Sequence, residues 1–281
     1  ALRLSTMDNP ALRFLKDRAV KPSSAPLLSE ALDTYLRLKG SNKAPTFHRG
    51  AKRNITAVVD VLGDKPIDQY RSSDAAAYRD YSLERGLTVA SVKRNFSTIR
   101  SIINLTLSEQ GIDSRNPFSK VFFPELDDVK DRKPIPIDTL RLIQRQSKQI
   151  NDDRRWLLSL ISDTGMRLAE AAGLAKEDVR LDAEIPHLVI QPHPWRSLKT
   201  KGSSRLIPLV GQSLWAAKQV LNDGDNTTQF AFPRYTNHQS CNAGSASATL
   251  NKWLHKNFPV DYVIHSFRHS FRDRLRAIQC P

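Results

Sequence analysis

A helix apolar on nearly every side, broken at a glycine and resumed within three residues, is the feature that most limits how this chain can fold. Trp156, Leu157, Leu158, Leu160 and Ile161 make the first run, which can be held rigid only by burial. Asp163-Thr164-Gly165 interrupts it, and a second run restarts with Leu168, Ala171, Ala172 and Leu174 around Glu170. Arg167 stands where one buried helix hands over to the next. A guanidinium held still at such a place suits two phosphate oxygens. Taken alone, the same residues equally fit an Arg167–Glu170 pair at i, i+3 on a helix surface.

Charge narrows the partner. The 281 residues carry a formal charge of +14 and a pI near 10.0, which argues for a polyanion. The excess is spread along the chain, with 21 Lys and Arg against 15 Asp and Glu up to residue 130, and 22 against 14 after it. Two basic halves, each large enough for its own core, suit a protein that grips nucleic acid from two sides. Cys241 and Cys280 lie far apart with no CxxC pair, a reduced, cytosolic usage that excludes zinc-site spacing. No apolar stretch has the length of a membrane span, and the start is not a signal peptide.

Residues 1–25 read as a lead-in that ends in a Pro- and Ser-rich stretch. Four helices are then predicted. Leu28, Ala31, Leu32, Tyr35, Leu36 and Leu38 make a stripe that stops at Gly40. Thr46 to Leu62 follows, with Ile55, Val58 and Val59 inward and Arg49, Lys52 and Arg53 on its first turns. Ser72-Ser73-Asp74 is a capping cluster for the third helix. In the fourth, Val89, Val92, Phe96, Ile99 and Ile103 recur at three- and four-residue steps, with Lys93, Arg94 and Arg100 off that face. Asn116-Pro117 ends this domain. Lys52, Arg53, Lys93 and Arg94 are its candidate DNA contacts.

Prolines 124, 134 and 136 bracket the charged run from Asp127 to Lys133, so the segment near 123–137 reads as an extended linker. Helices are expected from Asp138 and from Asp152. Beyond Leu174 the period changes: Leu188-Val189-Ile190 and Arg205-Leu206-Ile207-Pro208-Leu209 read as strands, with a turn at Lys199–Ser204 between them. Helices return at Ser213–Asn222, near Ser245–Asn257 and from Ser266. On the last one Phe267, Phe271, Leu275 and Ile278 form the expected buried side, while His265 and Arg268 share another. The whole reads as mainly α with a small antiparallel β-sheet.

Three pieces taken in order, Thr164-Gly165-Met166-Arg167-Leu168-Ala169-Glu170, a lysine turn closed by Arg205-Leu206-Ile207-Pro208-Leu209, and His265-Ser266-Phe267-Arg268-His269, resemble the tyrosine recombinase (phage integrase) family. The resemblance reaches the front domain, where Thr88 to Pro117 looks like the family's core-binding helix. It implies an N-terminal four-helix, SAM-like core-binding domain at 26–122, linked through 123–137 to an α+β catalytic domain at 138–281. By the same resemblance Arg167 and Arg268 clamp the scissile phosphate, whose transition state gains negative charge there. Lys199 matches the hairpin lysine that protonates the leaving 5′ oxygen, with Lys201 as the alternate. His265 matches the histidine that hydrogen-bonds the phosphate, and Glu170 the acidic residue that orients Arg167. The implied reaction cuts and rejoins double-stranded DNA at specific attachment sites through a 3′-phosphotyrosine, with no metal, ATP or other cofactor. A tetramer on DNA and a bacterial, nucleoid-associated setting follow from the family.

One element of that pattern is missing. The family's nucleophilic tyrosine lies beyond HxxR, whereas Tyr35, Tyr70, Tyr78, Tyr81, Tyr235 and Tyr262 all precede Arg268. The expectation is therefore a fragment incomplete at its C-terminus and inactive in strand cleavage; whether an arm-type DNA-binding domain stands upstream is left open. Three rivals remain. A helix-turn-helix regulator would use Arg167–Leu174 and Ala175–Val179, but would present Glu177, Asp178 and Asp182 to phosphates. A metal-dependent nuclease lacks a ligand cluster. A type IB topoisomerase shares the chemistry but fits the small front domain less well.

Overall fold

The computed structural model describes residues 23–125, 134–222, 227–258 and 262–280, with the side chain of Lys201 also outside the description. The chain divides into two compact units, residues 1–130 and 131–281. Residues 126–133, the middle of the expected linker, and residues 1–22, most of the expected lead-in, lie outside the described residues.

The first unit is built from α1 (Leu28–Lys39), α2 (Pro45–Leu62), α3 (Ser72–Glu84) and α4 (Val89–Glu109). Each start has a local cause. The Glu30 carboxylate accepts from the Leu27 amide at 2.8 Å, Pro45 opens α2, Asp74 accepts from the Arg71 amide at 2.7 Å, and the Thr88 hydroxyl accepts from the Ser91 amide at 3.2 Å. The stripes read from the sequence face one core, centred on Phe96. Its ring lies 5.7 Å from Tyr78, 5.6 Å from Phe118 and 5.1 Å from Phe123. Asn116 turns the chain back onto α4, donating from Nδ2 to the Arg100 carbonyl at 3.1 Å and accepting from the Phe118 amide at 3.0 Å.

Both ends of the proline-bracketed segment are packed rather than loose. Phe123 lies against Phe96, and the Phe122 carbonyl accepts from Arg79 at 2.7 Å. Ile135 is buried in the second unit's core, with its amide donating to Ser270 Oγ at 2.7 Å.

The second unit is organised around α6 (Asp153–Thr164), buried at every position from Arg155 to Thr164. Around it lie α5 (Ile137–Ile150), α7 (Leu168–Ala172), α8 (Gly211–Asn222), α9 (Ala243–Asn257) and α10 (Ile264–Ala277). Beside them β1 (Val179–Arg180), β2 (His187–Ile190) and β3 (Arg205–Pro208) form an antiparallel sheet in that order, with Val179 opposite Leu188 and Leu188 opposite Ile207. One buried carboxylate joins four helices. Asp163, near the end of α6, accepts from Gln144 of α5 at 3.1 Å, from Arg274 of α10 at 2.9 Å and from the Gln212 amide at the start of α8 at 2.8 Å. A buried charge so fully bonded fixes the angles at which these helices meet.

Two expectations change. Two expected apolar stripes are incompletely buried: Leu38 of α1 is 40 % exposed, and on α10 Phe271 and Leu275 are half-buried while Ile278, past the helix end at Ala277, is 73 % exposed. The stretch that a helix-turn-helix reading would make a recognition helix is instead a 3-10 turn, Lys176–Asp178, followed by β1. No described helix is long and apolar enough to cross a membrane.

Candidate active site

The helix break sets the site. Gly165 caps α6 in the left-handed conformation, φ 59°, and a Cβ there would lie 2.5 Å from the ring of Phe271. Glycine is required twice over, by the turn and by the close approach of α10. That approach brings Arg268 to the break, where its Nη1 donates to the Gly165 carbonyl at 2.6 Å. Two residues on, Arg167 leads into α7. Its amide donates to Glu170 Oε2 at 2.9 Å and its Nη1 to Oε1 at 2.6 Å. The i, i+3 pair thus forms, but not as a surface pair, because Glu170 is only 3 % exposed.

Electrostatics tie the two arginines together. Burial pulls the Arg268 guanidinium below the ordinary arginine range, and the positive charge of Arg167 is the next largest cause. Glu170 works against this and Arg205 adds to it. Cations that destabilise one another in a half-buried place are relieved by an anion.

The lysine turn reaches the same place through Ser203. The Ser203 hydroxyl lies 3.4 Å from Arg167 Nη1 and 2.8 Å from Thr200 Oγ1, next in the chain to the exposed Lys199. Lys201 opens a 3-10 turn, Lys201–Ser203, and its side chain lies outside the described residues. His265 is exposed on the first turn of α10, three residues before Arg268, with its ring centroid 5.0 Å from that of His269. Lys52, Arg53, Lys93 and Arg94 are exposed on α2 and α4 of the first unit, and the Lys93 ammonium lies 5.8 Å from the centre of the Phe123 ring. Among the described residues no group of three or more His, Cys, Asp or Glu is arranged to hold a metal ion.

Two contributors escaped the sequence reading. Arg205, the first residue of β3, donates from Nη2 to Glu170 Oε2 at 2.8 Å. Arg196, 4 % exposed, donates from Nη1 to the Glu170 backbone carbonyl at 2.6 Å and from Nη2 to the Gln191 carbonyl. Their bonds to Glu170 span 26 and 35 residues, so no local spacing announces them.

The Phage integrase family model matches residues 138–280. The tyrosine recombinase XerC of Psychromonas ingrahamii is 23 % identical over 273 residues, covering 90 % of this chain and 87 % of that protein. XerC of Bacillus pumilus is 25 % identical over 159 residues, covering 53 % and 50 %. Among solved structures, the Tn1549 transposon integrase in complex with circular intermediate DNA superposes with a TM-score of 0.70 at 18 % identity, over 92 % of this chain and 89 % of that one. A lambda integrase dimer bound to a COC′ core site gives 0.69 at 16 % identity, over 97 % and 75 %.

Proposed function

The chain belongs to the phage integrase family, and from that premise we propose that it binds duplex DNA and holds one backbone phosphate between Arg167 and Arg268. The observation that carries this reading is the docking of Arg268 on the Gly165 carbonyl, two residues before Arg167, in surroundings where burial and the nearby charge of Arg167 disfavour the Arg268 cation. Two fixed donors of this kind gain most from an oxyanion whose charge grows in the transition state. Glu170 orients Arg167 by accepting from both its amide and its side chain. Lys199 is the proton donor to the leaving 5′ oxygen, with Lys201 as its alternate, and His265 hydrogen-bonds the phosphate and helps move the nucleophile's proton.

The similar integrases were solved on DNA, one of them as a lambda integrase tetramer on a Holliday junction. They support attachment-site DNA as the partner here and assembly of four copies on it. Lys52, Arg53, Lys93 and Arg94 serve as phosphate contacts from the first unit. The reaction inferred for this family member is strand cleavage and rejoining through a 3′-phosphotyrosine. These 281 residues themselves bind without becoming attached, since every tyrosine precedes Arg268.

Calorimetric titration with orthovanadate, a phosphate mimic, tests the clamp. Wild type is expected to bind it, and R167A and R268A to lose that binding while still melting cooperatively. Equal binding by a doubly substituted chain removes the clamp. On a nicked suicide duplex, no covalent adduct is expected on a denaturing gel. An adduct would place a working nucleophile among the six tyrosines.

A further inference from the structure

The arm that carries Lys199 is pinned at both stems to one residue. Upstream, Arg196 Nη1 reaches the Glu170 backbone carbonyl at 2.6 Å, and its side chain passes over Gly173, where a Cβ would lie 2.6 Å from Arg196 Cδ. Downstream, Arg205 Nη2 reaches the Glu170 carboxylate at 2.8 Å, while its Nη1 donates to the Ser203 carbonyl at 2.7 Å. Glu170 also holds Arg167, by the 2.6 Å and 2.9 Å bonds described above. One buried residue therefore holds Arg167 and the downstream stem by its carboxylate, and the upstream stem by its backbone carbonyl.

We propose that Arg196 and Arg205 are positioning residues, which set where Lys199 stands relative to Arg167 by anchoring residues 196–205 on Glu170. The proposal rests on the clamp reading for its purpose but on the contacts alone for its geometry. An arm pinned only at Arg196 would swing about its upstream stem. The lysine would then spend part of its time away from the anion, and a proton donor works only within hydrogen-bond reach. Arg205 is better suited than lysine to this task, because it spends one nitrogen on the carboxylate and another on the Ser203 carbonyl.

Limited trypsin digestion of the 281-residue chain reads the arm directly, because Lys199 and Lys201 are cleavage sites on it. In R205Q, nicking after these two lysines is expected to speed up about tenfold, in proportion to the larger open population, with nicking elsewhere unchanged. R205K, which keeps the charge but not the fork, is expected to fall between. Adding orthovanadate slows the two cuts in wild type and does less in R205Q, an effect that general loosening does not produce. G173A, which displaces Arg196 instead, repeats the pattern from the other stem. If R205Q fails to fold, R205K and G173A carry the test.

Unchanged nicking at Lys199 and Lys201 in folded R205Q overturns the proposal. If the salt slope of duplex binding also falls by about one ion in that variant, Arg205 is a phosphate contact instead. Wild type that ignores both vanadate and duplex sinks the proposed function but leaves the nicking comparison able to decide the positioning.

Discussion

Glu170 is a carboxylate answering to two guanidiniums and an amide, and its titration follows from that. Burial by itself raises its proton affinity, but the hydrogen bonds from Arg205 and Arg167 outweigh burial and hold the carboxyl below its ordinary value of 4.5. A depressed acid contributes stability above its unfolded pKa and loses it as pH falls through the folded one. Replacing Glu170 by Gln is expected to cost about 2 kcal/mol at neutral pH, since both arginines stay about one-third exposed and recover some hydration. In thermal melts this is a drop in Tm of about 4–8 °C. The gap between wild type and E170Q should narrow as pH falls below the ordinary value of 4.5, and a gap constant from about pH 3 to 7 would mean the carboxylate is not the source. At this scale the sequence was half legible. The motifs named Arg167, Glu170 and Arg268, which the fold brings to the one helix break. Arg196 and Arg205 stayed hidden because their bonds to Glu170 span 26 and 35 residues, and only the folded arm brings them there.

Helices explain why the site can form from pieces a hundred residues apart. The break at Gly165 serves both sides, ending α6 and opening room for Phe271, so that α10 can lay Arg268 on the same carbonyl. Gly165→Ala combines a left-handed backbone with a Cβ 2.5 Å from a ring, and is expected to cost about 2–4 kcal/mol. Vanadate affinity should fall with it, because Arg268 leaves with its helix. Gly50 in α2 is the contrast: nothing lies within 4 Å of its Cβ position, so G50A should raise stability by about 0.5–1 kcal/mol. A denaturant titration of each variant checks both signs. Helices of this length were readable because burial imposes a period that 12 to 21 residues repeat several times. β1, at two residues, is too short to show any period. Ile135 looked like linker because prolines flank it, but an apolar side chain beside Ser270 has a buried place to go. Ile278 fits the helical stripe of α10, but burial along that stripe already falls off at Phe271 and Leu275, and the helix ends at Ala277.

Across the whole molecule two separate apolar cores, one holding Phe96 and the other Phe232, make two units of stability. Each of these side chains is fully buried, so F96A and F232A should each cost about 3–5 kcal/mol within their own unit. Calorimetry is expected to show F96A lowering one transition and F232A the other; a single transition shifted equally by both would mean the units unfold as one. The charge argument belongs to this scale as well, because +14 spread over both halves attracts any polyanion without saying which side chains touch it. Salt dependence separates the two. Each lysine or arginine that contacts a phosphate adds about 0.9 to the slope of log affinity against log salt, whereas a cation acting only at a distance adds far less. K52A/R53A should therefore flatten the slope by about 2 if α2 lies on the backbone. R94A should flatten it by about 1, and K93A by less, since the Lys93 ammonium is already drawn over the Phe123 ring. If all of these variants keep the wild-type slope, the first unit's exposed arginines and lysines supply only a general field, and DNA must be gripped by other residues.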